Sequence, residues 1–129
     1  MNTVLSHQLN QQRKLCIQKD LNELNLWINT LEFFNNELDH FSVIEKQLIK
    51  KASVSSTIQA IRRKNVLNMA ILCKYEQELK TEYQYGKTEY DLNRLRFHEQ
   101  KRISYMKLVD ECNTFKNKFY LSLRKYRRE

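Results

Sequence analysis

Residues 17–48 read IQKDLNELNLWINTLEFFNNELDHFSVIEKQL. Within them Ile17, Leu21, Leu24, Ile28, Leu31, Asn35 and Leu38 follow alternating steps of four and three. That spacing places one row of side chains along one flank of an α-helix, the seam of a coiled coil. A second row, Trp27, Phe34, Phe41 and Leu48, recurs every seven residues beside it. Two adjacent rows make a face wider than one partner helix covers, so contact with at least two other helices is expected. Leu5, Leu9 and Cys16 extend the pattern backward with a small drift in phase.

Downstream, Ser42-Val-Ile-Glu45 has the form of a capping box, in which the serine and glutamate side chains satisfy free backbone N–H groups. It marks either a break near Phe41 or an accident within one helix reaching about residue 51. Continuity is favoured, because the heptad row runs on to Leu48. Ser53, Ser55 and Ser56 are cap-type residues, and Ser56-Thr-Ile-Gln59 is a second capping box. A second helix is expected over about 57–84. Its middle, residues 66–73 (VLNMAILC), is apolar nearly all round, which implies an enclosed central helix or an oligomer interface. The lone glycine, Gly86, suits the left-handed position after a helix end. Thr88-Glu-Tyr-Asp91 offers a new N-cap signal, so a last helix is expected over about 89–127. Its distal seam is Tyr105, Leu108, Cys112, Phe115, Phe119, Ser122 and Tyr126, whereas residues 93–102 are dominated by charge.

The expected fold is therefore all-α: an elongated, antiparallel up-down-up bundle of three long helices, with a fourth only if the chain breaks near Phe41. The whole chain, 1–129, reads as one helical-bundle domain, with helices over about 4–51, 57–84 and 89–127. With the middle helix shortest, the first should overhang it before about Asn22, leaving Leu5, Leu9 and Ile17 in need of cover.

Composition agrees with this class. One glycine and no proline in 129 residues leave almost no chemistry for the tight turns of β-hairpins. Three widely spaced cysteines, Cys16, Cys73 and Cys112, do not make a disulfide framework, and reduced thiols in a cytoplasm are the simpler reading. Neither a signal peptide nor a transmembrane run is visible. The net charge is +8, and residues 87–129 carry twelve basic and six acidic side chains. Frequent Asn, Lys, Ile, Tyr and Phe with scarce Ala resemble the product of an AT-rich genome, so part of the lysine excess reflects codon use.

Few residues point to chemistry. Glu37-Leu-Asp-His40 is an E-x-x-H pair of the kind that ligates di-iron sites in helical bundles. A complete site needs a second such pair, and Leu95 stands where the glutamate before His98 would be. Cys73 and His98 fall at similar heights on neighbouring helices, but two ligands do not make a zinc site, and a cysteine in a helix more often packs than binds. Asn35 and Asn68 occupy core-like positions, where a buried amide would set helix register. No nucleophile elbow, zinc-protease motif or phosphate loop is present. No catalytic residue, cofactor, metal or small-molecule substrate is expected.

The C-terminal stretch carries the strongest binding signal. Lys116, Lys118, Arg124, Lys125, Arg127 and Arg128 alternate with Phe115, Phe119, Leu123 and Tyr126. Arg62, Arg63 and Lys64 should lie toward the same end of the bundle. Such a surface suits nucleic acid, an anionic membrane or an acidic partner, although a solvated face complementing the helix dipole has the same composition. The leading expectation is a non-enzymatic, cytoplasmic adaptor or assembly component acting through a protein partner or a second copy. Nucleic-acid binding through the basic end is the alternative.

Overall fold

In the computed structural model, residues 3–126 are described, with side-chain surroundings given from residue 6 onward. Three helices account for nearly all of them: α1 (Thr3–Ile44), α2 (Ala52–Tyr85) and α3 (Leu92–Leu123), with no strand among the described residues. At 1.5 Å per residue α1 is about 63 Å long, so the bundle is elongated as expected.

Side-chain links give the topology. Between α1 and α2, Asp39 pairs with Arg62, Asn35 with Asn65, and Arg13 with the Glu82 carbonyl, so numbers fall on one helix as they rise on the other. Lys64–Glu111, Tyr75–His98 and Glu82–Arg94 relate α2 to α3 in the same antiparallel sense. Glu23–Arg102 and Glu37–Lys116 make α1 and α3 parallel, at a constant separation of 79 positions. The order is up, down, up.

The double row on α1 is the centre of the core. Ile17, Leu21, Leu24, Ile28, Leu31 and Leu38 are buried, as are Trp27, Phe34 and Phe41. From α3 the distal seam supplies Leu108, Cys112, Phe115 and Phe119, and the Phe41 ring lies tilted against Phe119 with centroids 4.5 Å apart.

Several details differ from the sequence expectation. Helix α1 does run through Phe41, as the favoured reading has it, but it ends at Ile44, short of residue 51, and no side chain caps the turn that follows. That turn is a π turn, Glu45–Ile49, with the Lys50 N–H donating to the Glu45 carbonyl at 2.7 Å. A π turn holds one residue more than an α turn. The inward row is thereby displaced by one position, so Ile49 is buried while Leu48 is 46 % exposed.

The first joint is at Lys50–Lys51, not residues 53–56. Lys50 takes the left-handed conformation (φ 54°, ψ 45°) that reverses the chain, and α2 begins at once, taking the serines into its first turns. Because α2 starts early it also reaches further down α1. Ile17 is fully buried, and the overhang begins below Arg13 rather than below Asn22. Leu9 remains 37 % exposed; Leu5 lies outside the described side chains.

Gly86 is not left-handed: φ is −71° and ψ 149°. Glycine is needed there for space, since a Cβ would lie 2.5 Å from the Glu82 carbonyl oxygen and collide with the Glu82 carboxylate. Helix α3 starts at Leu92, where the Asp91 carboxylate accepts from the Arg94 N–H at 3.0 Å, so Asp91 rather than Thr88 is the cap. The middle helix is not the enclosed one. Val66, Leu67 and Ile71 are 55 %, 65 % and 49 % exposed, because a helix at one corner of a three-helix bundle buries only its inner side.

Candidate functional site

Helix α1 carries Asp20 and Glu23 at i, i+3, beside its buried seam and on the flank that faces α3. Opposite them α3 presents His98 and, one turn on, Arg102. His98 is 1 % exposed, and its ring lies against Trp27 with centroids 5.1 Å apart. Its Nδ1 is 2.6 Å from the Tyr75 hydroxyl on α2. Its Nε2 is 2.7 Å from Glu23 Oε1 and 3.4 Å from Asp20 Oδ1. Arg102 donates from Nε to Glu23 Oε2 at 2.8 Å and from Nη2 to Oε1 at 2.6 Å. Tyr90, in the α2–α3 connection, donates its hydroxyl to Asp20 Oδ2. All three helices thus meet at one polar node.

The node's electrostatics follow from these bonds. The Arg102 hydrogen bonds, against some burial, hold the Glu23 carboxyl down at about 2. Burial raises the Asp20 carboxyl, with Tyr90 and His98 opposing. Burial also lifts the Tyr75 and Tyr90 phenols above their ordinary range, and the bond to Asp20 adds to the effect at Tyr90. The hydrogen bond to Glu23 raises Arg102. Beside the node a cleft of about 350 Å³ is lined by Asp20, Tyr75, Tyr90, Arg94 and Phe97 among others.

Residues 93–102 are dominated by charge, and His98 was expected level with Cys73, yet its ring is buried and its partners are Tyr75 on α2 and the acidic pair on α1. The early joint at Lys50 and the long connection between Tyr85 and Leu92 shift the register, so His98 meets Asp20 and Glu23 instead. Cys73 is exposed and is not part of the cluster around His98. His40 is exposed, Glu37 pairs with Lys116, and the E-x-x-H pair is not assembled into a cluster. The buried amide of the core is Asn65 rather than Asn68. Asn65 is fully buried, donates to Asn35 Oδ1 at 3.0 Å and accepts from the Cys112 thiol at 3.6 Å. The acidic pair at i, i+3 beside an apolar seam was the sequence signal for the His98 node. Its meaning depends on which residues of α3 face it.

Among the described residues, three of the basic side chains turn to carboxylates on other helices. Arg62 turns to Asp39 on α1 (2.7 Å), Lys64 to Glu111 on α3 (3.0 Å), and Lys116 to Glu37 (2.8 Å). The triplet 62–64 is thereby divided between two flanks of α2. Arg63, Lys118, Arg124 and Lys125 are exposed, while Arg127 and Arg128 lie outside the described residues. The start of α2 and the end of α3 do share one end of the bundle, where Ser53 and Thr57 line a cleft with Lys118 and Ser122.

No protein-family model, curated protein or solved structure matches this chain. The class is therefore defined by the fold alone: an all-α bundle of three long helices. Among the described residues no helix is long and apolar enough to cross a membrane.

Proposed function

We propose that this chain is a non-enzymatic assembly component that works by protein–protein association, with a partner protein or with a second copy of itself. One observation carries the reading. Val66, Leu67 and Ile71 stand side by side on the outer surface of α2, each about half exposed or more, with exposed Ala70 between them. Adjacent large apolar groups on a straight helix face lose most from contact with water and suit a second helix laid along them. A cytoplasmic site of action belongs to the same reading and is supported by three unpaired thiols.

The double variant L67E/I71E tests it. Sedimentation velocity of the purified chain and affinity capture from its native cell should show self-association or retention of a defined protein. Both should be lost in the variant, with helicity and melting temperature unchanged. A strictly monomeric chain that retains no protein, or identical retention by the variant, rules the reading out.

Nucleic-acid binding ranks second. Its support is the exposed set Arg63, Lys118, Arg124 and Lys125. The carboxylates paired with Arg62, Lys64 and Lys116 weaken the field that this end offers a polyanion. A gel shift that weakens steeply with salt and with R124Q/K125Q would favour it.

A further inference from the structure

We propose that Asp20, Glu23 and His98 bind one divalent transition-metal ion, zinc by the chemistry of the ligands, at the node where Asp20 borders the cleft lined by Tyr75 and Tyr90. One ligand atom from each residue lies within 4.8 Å of the other two. Both carboxylates converge on the same ring nitrogen: His98 Nε2 is 2.7 Å from Glu23 Oε1 and 3.4 Å from Asp20 Oδ1. A single N–H cannot serve both oxygens well, whereas a cation can. With bonds of about 2.0–2.1 Å, neighbouring ligand atoms of a tetrahedral zinc ion are about 3.3 Å apart. The Asp20 distance already meets that spacing, and Glu23 needs to open by only about 0.6 Å, a small side-chain rotation.

The surrounding bonds orient each ligand. The Tyr75 hydroxyl at 2.6 Å can accept from Nδ1–H, which leaves the Nε2 lone pair for the metal. Tyr90 occupies Asp20 Oδ2 and leaves Oδ1 to ligate. Arg102 holds Glu23 through both oxygens, and a carboxylate keeps further lone pairs for a metal. Two carboxylates against one guanidinium leave a net negative site for the cation. Asp20, alone of the three ligands, also lines the adjoining cleft of about 350 Å³, which has room for a water as fourth ligand on that side. Such an ion would tie α1 to α3. The proposal is independent of the association surface on α2.

The test uses the full chain, stripped with a chelator and titrated calorimetrically with zinc alone. Binding of one ion per chain is expected, with a raised melting temperature. D20N and H98Q should each weaken binding by about ten-fold or more. C73S and H40Q should leave it unchanged, which separates this site from an exposed thiol and an exposed imidazole. Absence of stoichiometric binding, or binding that survives D20N and disappears with C73S or H40Q, overturns the proposal. If D20N or H98Q loses helicity, the cobalt(II) spectrum of the wild-type chain decides. Visible bands of nitrogen and oxygen coordination without a thiolate charge-transfer band support the site; a thiolate band or no spectrum overturns it.

Discussion

Asn65 buries a carboxamide completely in the middle of an apolar bundle, and its neighbours make that tolerable. It gives a hydrogen to Asn35 and takes one from Cys112, while Asn35 in turn faces the Met69 sulfur at 3.3 Å. Removing one member strands the others, and an unsatisfied buried polar group costs about 1–3 kcal/mol. N65A should therefore lose about 2 kcal/mol or more in urea unfolding, cavity cost included. N68A, whose amide donates only to the Lys64 carbonyl, should lose far less.

Cys112 belongs to the same layer, and burial pushes its thiol up to about 11. Because the folded value lies above the unfolded one of about 9, burial of the neutral thiol stabilises the fold fully below pH 9, and that contribution fades as pH rises through 11. At pH 8 iodoacetamide should label the exposed Cys73 and spare Cys112, as read by peptide mass spectrometry. Equal labelling of both in the folded chain would contradict the buried placement.

At the scale of the element, the joint after α1 is built on a residue ill suited to it. A lysine in the left-handed region carries a steric cost of roughly 1 kcal/mol that glycine avoids. K50G should raise stability by about 0.5–1 kcal/mol, and K50V should lower it, both measurable as shifts of the urea midpoint. The opposite asymmetry holds at Gly86. Its backbone is ordinary for any residue, yet a methyl group has no room beside Glu82. G86A should cost about 1–3 kcal/mol as the end of α2 shifts to admit it.

For the molecule as a whole, α1 is the shared wall of the core, so its fully buried leucines should report on all three helices. L24A and L38A should each cost about 2–5 kcal/mol, since both side chains are completely enclosed. Trp27, the single tryptophan, lies against His98 and Tyr105 of α3. Its fluorescence therefore follows α1–α3 separation, while circular dichroism follows total helix. The two melting curves should coincide. An earlier fluorescence transition would mean that α3 detaches before the α1–α2 pair unfolds.

Periodicity within one helix was sufficient for the helical class, the wide inner face of α1 and the distal seam of α3. Each of these depends on residues a few positions apart, and the α-helix converts such spacing directly into a face. The joints were harder to place. Lys50 reverses the chain without a turn-type residue, the serines at 53–56 imitate caps inside α2, and the π turn moves burial from Leu48 to Ile49. Small errors at two joints displaced the expected height of α3 along α1 by several turns, and with it every contact between them. Hence the kind of bundle and the inward faces of α1 and of distal α3 were legible in the residues alone. Tertiary structure alone decided that His98 is buried between Asp20 and Glu23, that Asn65 is the core amide, and that Val66, Leu67 and Ile71 face outward. Those outcomes depend on inter-helix register, and two chain reversals set that register rather than any local pattern of residues.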